Sequence, residues 1–226
     1  HLTFCYSFKR SLSNSLDNCT ALTRLTFRYH YNQPLDNSLS NCTALTYIEF
    51  GYYFDQPLSN SLYNCTSLTH IKFGKMFNCP LSNSLNNCTA LTHIVFGHSF
   101  DQITFDDSFN HPLANSLDNC TLLTHIAFGD NFSQPLTNFL YNHPLLVHLE
   151  LDFNFNQKID LPYNIRSLSL DCNNTYLIEH LPDTIEEIEF GIDFGLELVN
   201  CPSSIKKIRF HWNSWYNKKL NCLPNK

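Results

Sequence analysis

The stretch Leu68–Ala90, LTHIKFGKMFNCPLSNSLNNCTA, decides the fold. One period earlier, Leu45–Ser67 reads LTYIEFGYYFDQPLSNSLYNCTS, and before it Leu22–Ala44 reads LTRLTFRYHYNQPLDNSLSNCTA, so the unit is 23 residues long. Self-similarity at a fixed period of this size is the signature of stacked structural repeats. Ten units can be read, the first truncated and the others opening at Leu22, Leu45, Leu68, Leu91, Leu123, Leu146, Ile165, Ile185 and Ile205. Residues 1–226 are therefore read as a single solenoid. Residues 1–21 are the truncated unit, 22–164 hold mostly 23-residue units, and 165–226 hold shorter units and a C-terminal cap.

Each unit opens on L-x-x-L-x-F. Alternation over its last three residues predicts a short strand with one face inward. Strands of successive units would pair in parallel, about 4.8 Å apart. A glycine such as Gly51 or Gly74 follows the strand, where a tight turn out of the sheet is expected. Four residues past the strand aromatic comes a second one: Phe8, Tyr31, Phe54, Phe77, Phe100, Phe132, Phe155 or Phe194. These positions predict two stacked aromatic columns in the core. The Q-P-L segment with Pro34, Pro57, Pro80, Pro112 and Pro135 is the return path, because proline cannot donate to a ladder. Leu35, Leu39, Cys42 and Leu45, spaced by four and three, predict a short helical or 3₁₀ segment on the outer side.

Composition narrows the function. The formal net charge is −6, which lacks the basic balance of a nucleic-acid binder. No apolar run approaches the roughly 20 residues that span a membrane. Leu2 and Phe4 match Leu25 and Phe27 one period later, so a natural start lying upstream is expected. Cys19, Cys42, Cys65, Cys88 and Cys120 are one repeat position seen five times. They predict a reduced, buried ladder and not a disulfide framework. The N-C-T sequons at Asn18, Asn41, Asn64, Asn87 and Asn119 are likewise one position, read as buried turn asparagines bonding the next coil; Asn131 and Asn173 add two more sequons.

One column carries chemistry. His70, His93, His125 and His148 share the place just before the middle strand residue, with Arg24 and Tyr47 ahead of them. Alternation points this column outward, with imidazoles about 5 Å apart. Partner-facing histidines are favoured over a metal site, since zinc needs three or four ligands and no separate third ligand is evident. The adjacent outward column is mixed and includes Lys72. Two places break the period. The unit at Leu91 is 32 residues long, with a partial duplication near 101–110 that brings Asp101, Asp106 and Asp107 to an expected binding loop. The last unit has Trp212, Trp215 and Tyr216, expected to cap the core or to serve self-association. No Walker loop, H-E-x-x-H, C-x-x-C or Ser-His-Asp set is present, so neither catalysis nor a cofactor is expected.

The pattern in Phe73, Gly74, Phe77 and Asn78, and again in Phe50, Gly51, Phe54 and Gln56, is similar to the FNIP, or FGxxFN, repeats of amoebae and giant viruses. Those are a branch of the leucine-rich repeats. The N-C-T-x-L endings also resemble the BspA type. The resemblance implies a leucine-rich-repeat solenoid with a parallel β-sheet on the concave face and turns or short helical segments on the convex face. It implies a non-catalytic protein-binding scaffold, cytoplasmic (host cytoplasm for a virus). FNIP proteins often carry an F-box, which implies substrate selection for a ubiquitin ligase. The BspA likeness implies the rival reading, an extracellular adhesion module. A metal protein built on the histidine ladder is the least favoured reading. A protein partner, and a homodimer through a terminal repeat, are the expected assemblies; nucleic acid and membrane are not.

Overall fold

A computed structural model describes residues 1–97, 107–113, 115–199 and 201–220. Ten strands lie in sequence order in one parallel sheet: β1 (Leu2–Thr3), β2 (Arg24–Thr26), β3 (Tyr47–Glu49), β4 (His70–Phe73), β5 (His93–Phe96), β6 (His125–Ala127), β7 (His148–Leu151), β8 (Ser167–Leu170), β9 (Glu187–Phe190) and β10 (Lys207–Phe210). The register equals the sequence period: Tyr47 pairs with His70, His70 with His93, and His93 with His125. Short strands cannot hold such a register alone. It is pinned by the inward residues Leu25, Ile48, Ile71, Ile94, Ile126, Leu149 and Leu168, all fully buried.

The aromatic columns run through the core. Along the first, Phe50, Phe73 and Phe96 stack with centroids 5.5 and 5.0 Å apart. Along the second, Phe54 meets Phe77 at 6.1 Å, and Phe77 meets Phe109 at 5.9 Å. Phe109 thus takes the place expected of Phe100, which lies outside the described residues; Phe109 continues to Phe132 at 6.1 Å.

Polar ladders tie the coils together. The side-chain oxygens of Asn32, Asp55 and Asn78 accept the backbone N–H of Asp55, Asn78 and Asn110 in the next described coil. This satisfies donors that the proline-bearing return path leaves without a sheet partner. On the convex side, Ser38 N–H donates to Leu35 carbonyl and Cys42 N–H to Leu39 carbonyl, the tight i to i+3 turns anticipated. Asp36, Ser59 and Ser82 start these turns with φ of 45–47°. Two later units have short helices instead, α1 (Thr137–Asn142) and α2 (Thr175–Glu179).

The cysteine column is a ladder of free thiols, with Cys42, Cys65, Cys88 and Cys120 buried. Each of these donates weakly to a leucine carbonyl one coil back, at 3.7–3.9 Å. Burial pushes the Cys65 and Cys120 thiols up to about 12, so they are inert packing groups. Cys201, outside this column, is disulfide-bonded.

One expectation stands for a different reason and one needs correction. The tight turns out of the strands form, with the Phe54 and Phe77 N–H groups donating to the Gly51 and Gly74 carbonyls, but neither glycine has a positive φ. A Cβ there would lie 1.8 Å from the carbonyl oxygen of the preceding coil, Arg28 and Gly51 respectively. Glycine is needed because two backbones touch. Asn41, Asn64 and Asn87 of the N-C-T sequons bond the preceding coil but are not buried. Asn41 and Asn64 are exposed, their amides donating to the Asp17 and Ser40 carbonyls at 2.9 and 2.7 Å.

Candidate interaction surface

The outward face of the sheet carries the predicted residues, and their neighbours set their chemistry. Thr69, Thr92 and Thr124 stand one residue before His70, His93 and His125. Each threonine hydroxyl donates its single hydrogen to the carbonyl of the threonine one coil back, Thr46, Thr69 and Thr92, at 2.8, 3.0 and 3.1 Å. Each also lies 2.8–2.9 Å from the Nδ1 of its histidine. With the hydroxyl hydrogen committed, Nδ1 must be the donor. In their neutral form the imidazoles are therefore fixed in one tautomer, with their Nε2 lone pairs as a row of acceptors.

The rings of His70, His93 and His125 stack with centroids 4.2 Å apart, and His148 follows at 5.5 Å. The Nδ1 of His148 faces the Ser167 hydroxyl at 2.9 Å. Partial burial and then the neighbouring imidazoles push His93 down to about 4. Burial also lowers His125 and His148. His93, His125 and His148 are thereby held neutral at neutral pH. Parallel stacked rings aim their lone pairs side by side, and the outer two of any three lie two spacings apart. One ion with bonds of about 2.0–2.1 Å cannot gather three of them.

On either side of the ladder the face is charged. The Lys72 ammonium lies 3.6 Å from the Glu49 carboxylate on the adjacent strand. The Tyr47 hydroxyl donates to Glu49 at 3.0 Å, and the Arg24 guanidinium lies 3.8 Å over the Tyr47 ring. At the far end Lys207 and Arg209 pair with Glu187 and Glu189 at 3.6 and 3.1 Å. The middle of the second outward column is closed off, with Ala127, Glu150 and Ser169 buried.

The remaining predicted residues divide. Asp101 and Asp106 lie outside the described residues. Asp107, expected on a solvated binding loop, is instead 4% exposed. Its carboxylate stands with those of Asp130 and Asp152 within 4.8 Å, all three buried. Their position follows the strand: Asp130, Asp152 and Asp171 stand next to Gly129, Leu151 and Leu170. Burial, then the charges of Asp130 and Asp171, raise the Asp152 carboxyl far above the usual range; burial pushes Asp171 up to about 6. Trp212 and Trp215 are 84% and 87% exposed, whereas Tyr216 stacks on Phe210 at 4.4 Å and caps the aromatic column. Of this group, Tyr216 takes the capping place, while Trp212 and Trp215 stand in solvent.

A second periodic feature lies at the end of the first strands. Tyr6, Tyr29 and Tyr52 stand 23 residues apart, two places after the strand aromatic. They form a rim where the strands leave the sheet, with Tyr29 and Tyr52 stacked at 4.7 Å and Tyr6 6.5 Å from Tyr29. The Arg28 guanidinium lies 5.3 Å over the Tyr6 ring. The rim borders a groove of about 420 Å³ that also reaches Glu49 and Lys72.

This chain belongs to the BspA-type leucine-rich repeat family, whose profile matches residues 2–111 and 58–172 in six copies. The FNIP repeat profile matches residues 155–193, where the units shorten. No curated protein matches. Among solved structures, the chain is similar to CroV588, described as a circular leucine-rich-repeat protein, with 29% identity and a TM-score of 0.48 over 91% of this chain. It spans 36% of that protein's length. An internalin from Listeria monocytogenes matches with 13% identity and a TM-score of 0.57, over 97% of this chain and 69% of the internalin. The Drosophila Toll–Spätzle complex matches with 15% identity and a TM-score of 0.45, over 87% and 34% of the two chains. Among the described residues no helix is long and apolar enough to cross a membrane.

Proposed function

We propose that this solenoid is a non-catalytic protein-interaction scaffold that binds its partner on the outward, concave sheet face. The observation carrying this reading is the separation of roles between columns. Inward positions repeat leucine, isoleucine and phenylalanine. Outward positions change from Arg24 and Tyr47 through the histidine ladder to Glu187 and Lys207, chemistry the fold does not need. A rigid frame with a varied outer face is what a recognition solenoid requires. The finer role of selecting substrates for a ubiquitin ligase rests on the FNIP likeness, matched over residues 155–193.

The test is capture of bound proteins from the native source. The native chain is compared with a His70→Ser, His93→Ser, His125→Ser variant and with a convex control, Tyr63→Ser. Partners lost from the first and kept by the second support the reading; partners kept by both overturn it.

A second reading, a module of the cell surface, is favoured by the disulfide at Cys201 and the exposed sequons at Asn41 and Asn64. The eight free cysteines among the described residues weigh against it. Glycan mass on protein from the native source supports the surface module, and bare sequons overturn it.

A further inference from the structure

The cations of the sheet face follow a rule with two exceptions. Lys72, Lys207 and Arg209 each meet a glutamate at the same register on the neighbouring strand: Glu49, Glu187 and Glu189. Arg24 has Tyr47 at that register, and its guanidinium lies on the ring face. Arg28, two residues past the end of β2, lies over Tyr6. Both arginines are exposed, and no carboxylate forms an ion pair with either among the described residues. A guanidinium laid on an aromatic face is held in place while its N–H edge stays open for a bidentate anion.

The two arginines flank β2. Four residues along the strand and its exit separate them, at most about 13 Å of chain. Level with Thr26, on the next two strands, lie Glu49 and Lys72, already paired with each other; the tyrosine rim offers flat apolar surface. Tyrosine and arginine are the residues that dominate the buried centres of protein interfaces.

We propose that the Arg24–Arg28 edge of the first three repeats, with Tyr6, Tyr29 and Tyr52, is a docking site for an extended acidic peptide segment. One side-chain carboxylate is taken by Arg24, and a second, about four residues along the segment, by Arg28. The segment's apolar or aromatic residues lie on the tyrosine rim. This rests on the scaffold reading and supplies the chemistry of its partner. The net charge of −6 sets an acidic protein segment ahead of nucleic acid: repulsion from the rest of the chain is severe for a polyanion and mild for a short peptide.

The probe is a fluorescently labelled peptide of alternating Glu and Tyr, titrated by anisotropy against the whole chain. A Gln/Tyr peptide and an oligothymidine are the controls. Binding of the Glu/Tyr peptide, weakened roughly tenfold or more by Arg24→Gln or Arg28→Gln and by the Gln/Tyr replacement, is the expected result. Arg24→Lys and Arg28→Lys keep the charge but lose the stacked fork, and should recover only part of the affinity. Melting temperatures equal to that of the native chain verify folding of these exposed-site variants. Equal binding of the Gln/Tyr peptide, tighter binding of oligothymidine, or insensitivity to both arginines overturns the proposal. If the probe fails while the histidine variant still loses its native partners, this site is overturned and the scaffold stands.

Discussion

A methyl group at Gly74 would sit 1.8 Å from the Gly51 carbonyl oxygen, and one at Gly51 would meet the Arg28 carbonyl in the same way. The coils touch backbone to backbone at this corner, so Gly74→Ala must push two of them apart. Overpacking of this kind costs about 1–3 kcal/mol. A denaturant midpoint as high as that of the native chain would contradict the argument. His93 is governed by solvent and neighbours together. Its pKa falls from the ordinary 6.5 to about 4 through burial and the two stacked imidazoles. Between these values the unfolded chain binds a proton that the folded chain refuses, so this residue removes stability as pH falls from 6.5 toward 4. Titration followed by NMR should place the His93 midpoint well below 6.5; a midpoint at 6.5 would show that the ring is neither desolvated nor stacked.

At the scale of single elements, the aromatic columns and the carboxylate ladder act in opposite ways. Phe77 is fully buried and touches Phe54, Phe73 and Phe109 with centroids 4.2–6.1 Å away. Phe77→Ala should cost about 3–5 kcal/mol, read as a drop in the unfolding midpoint. Asp152, crowded by Asp130 and Asp171, is raised well above its ordinary carboxyl range. Above that ordinary range the folded chain holds a proton that the unfolded chain has released, so this residue removes stability as pH rises. Asp152→Asn should therefore raise the melting temperature at pH 8 more than at pH 5; an equal or opposite change would refute the buried-acid account. The strands and both aromatic columns were legible in residues such as Ile71, Phe73 and Phe77, because one period forces one environment on all copies. The burial of Asp107 was not legible. It falls within the segment that breaks the period, where no repeat position assigns an environment, and only the space beside Gly97 and Gly129 shows that its side chain fills the room a Cβ would occupy. The histidine column was legible, whereas its tautomer needed the threonine hydroxyls placed in three dimensions. The tyrosine rim was present as a 23-residue spacing, but the fold was needed to show Arg28 lying over it.

Across the whole molecule each strand depends on its two neighbours, and β10 has only β9 among the described strands. Its inward residues Ile208 and Phe210 are only half buried, against full burial of Ile71 and Phe73 in β4. Amide exchange should therefore be slowest in β4–β7 and fastest in the end strands β1 and β10, as nearest-neighbour stability in a stacked array requires. Uniform protection along the sheet would mean that the ends are held by something else. The shared register has one more consequence. Every coil offers the same pairing edge above and below, so the sheet works as a length standard. Gain or loss of whole 23-residue units leaves each surviving pair congruent, and deleting Leu68–Ala90 would simply set Tyr47 beside His93. Copy number can thus drift by duplication without redesign of the core, and each change re-spaces the outward chemistry in steps of one strand.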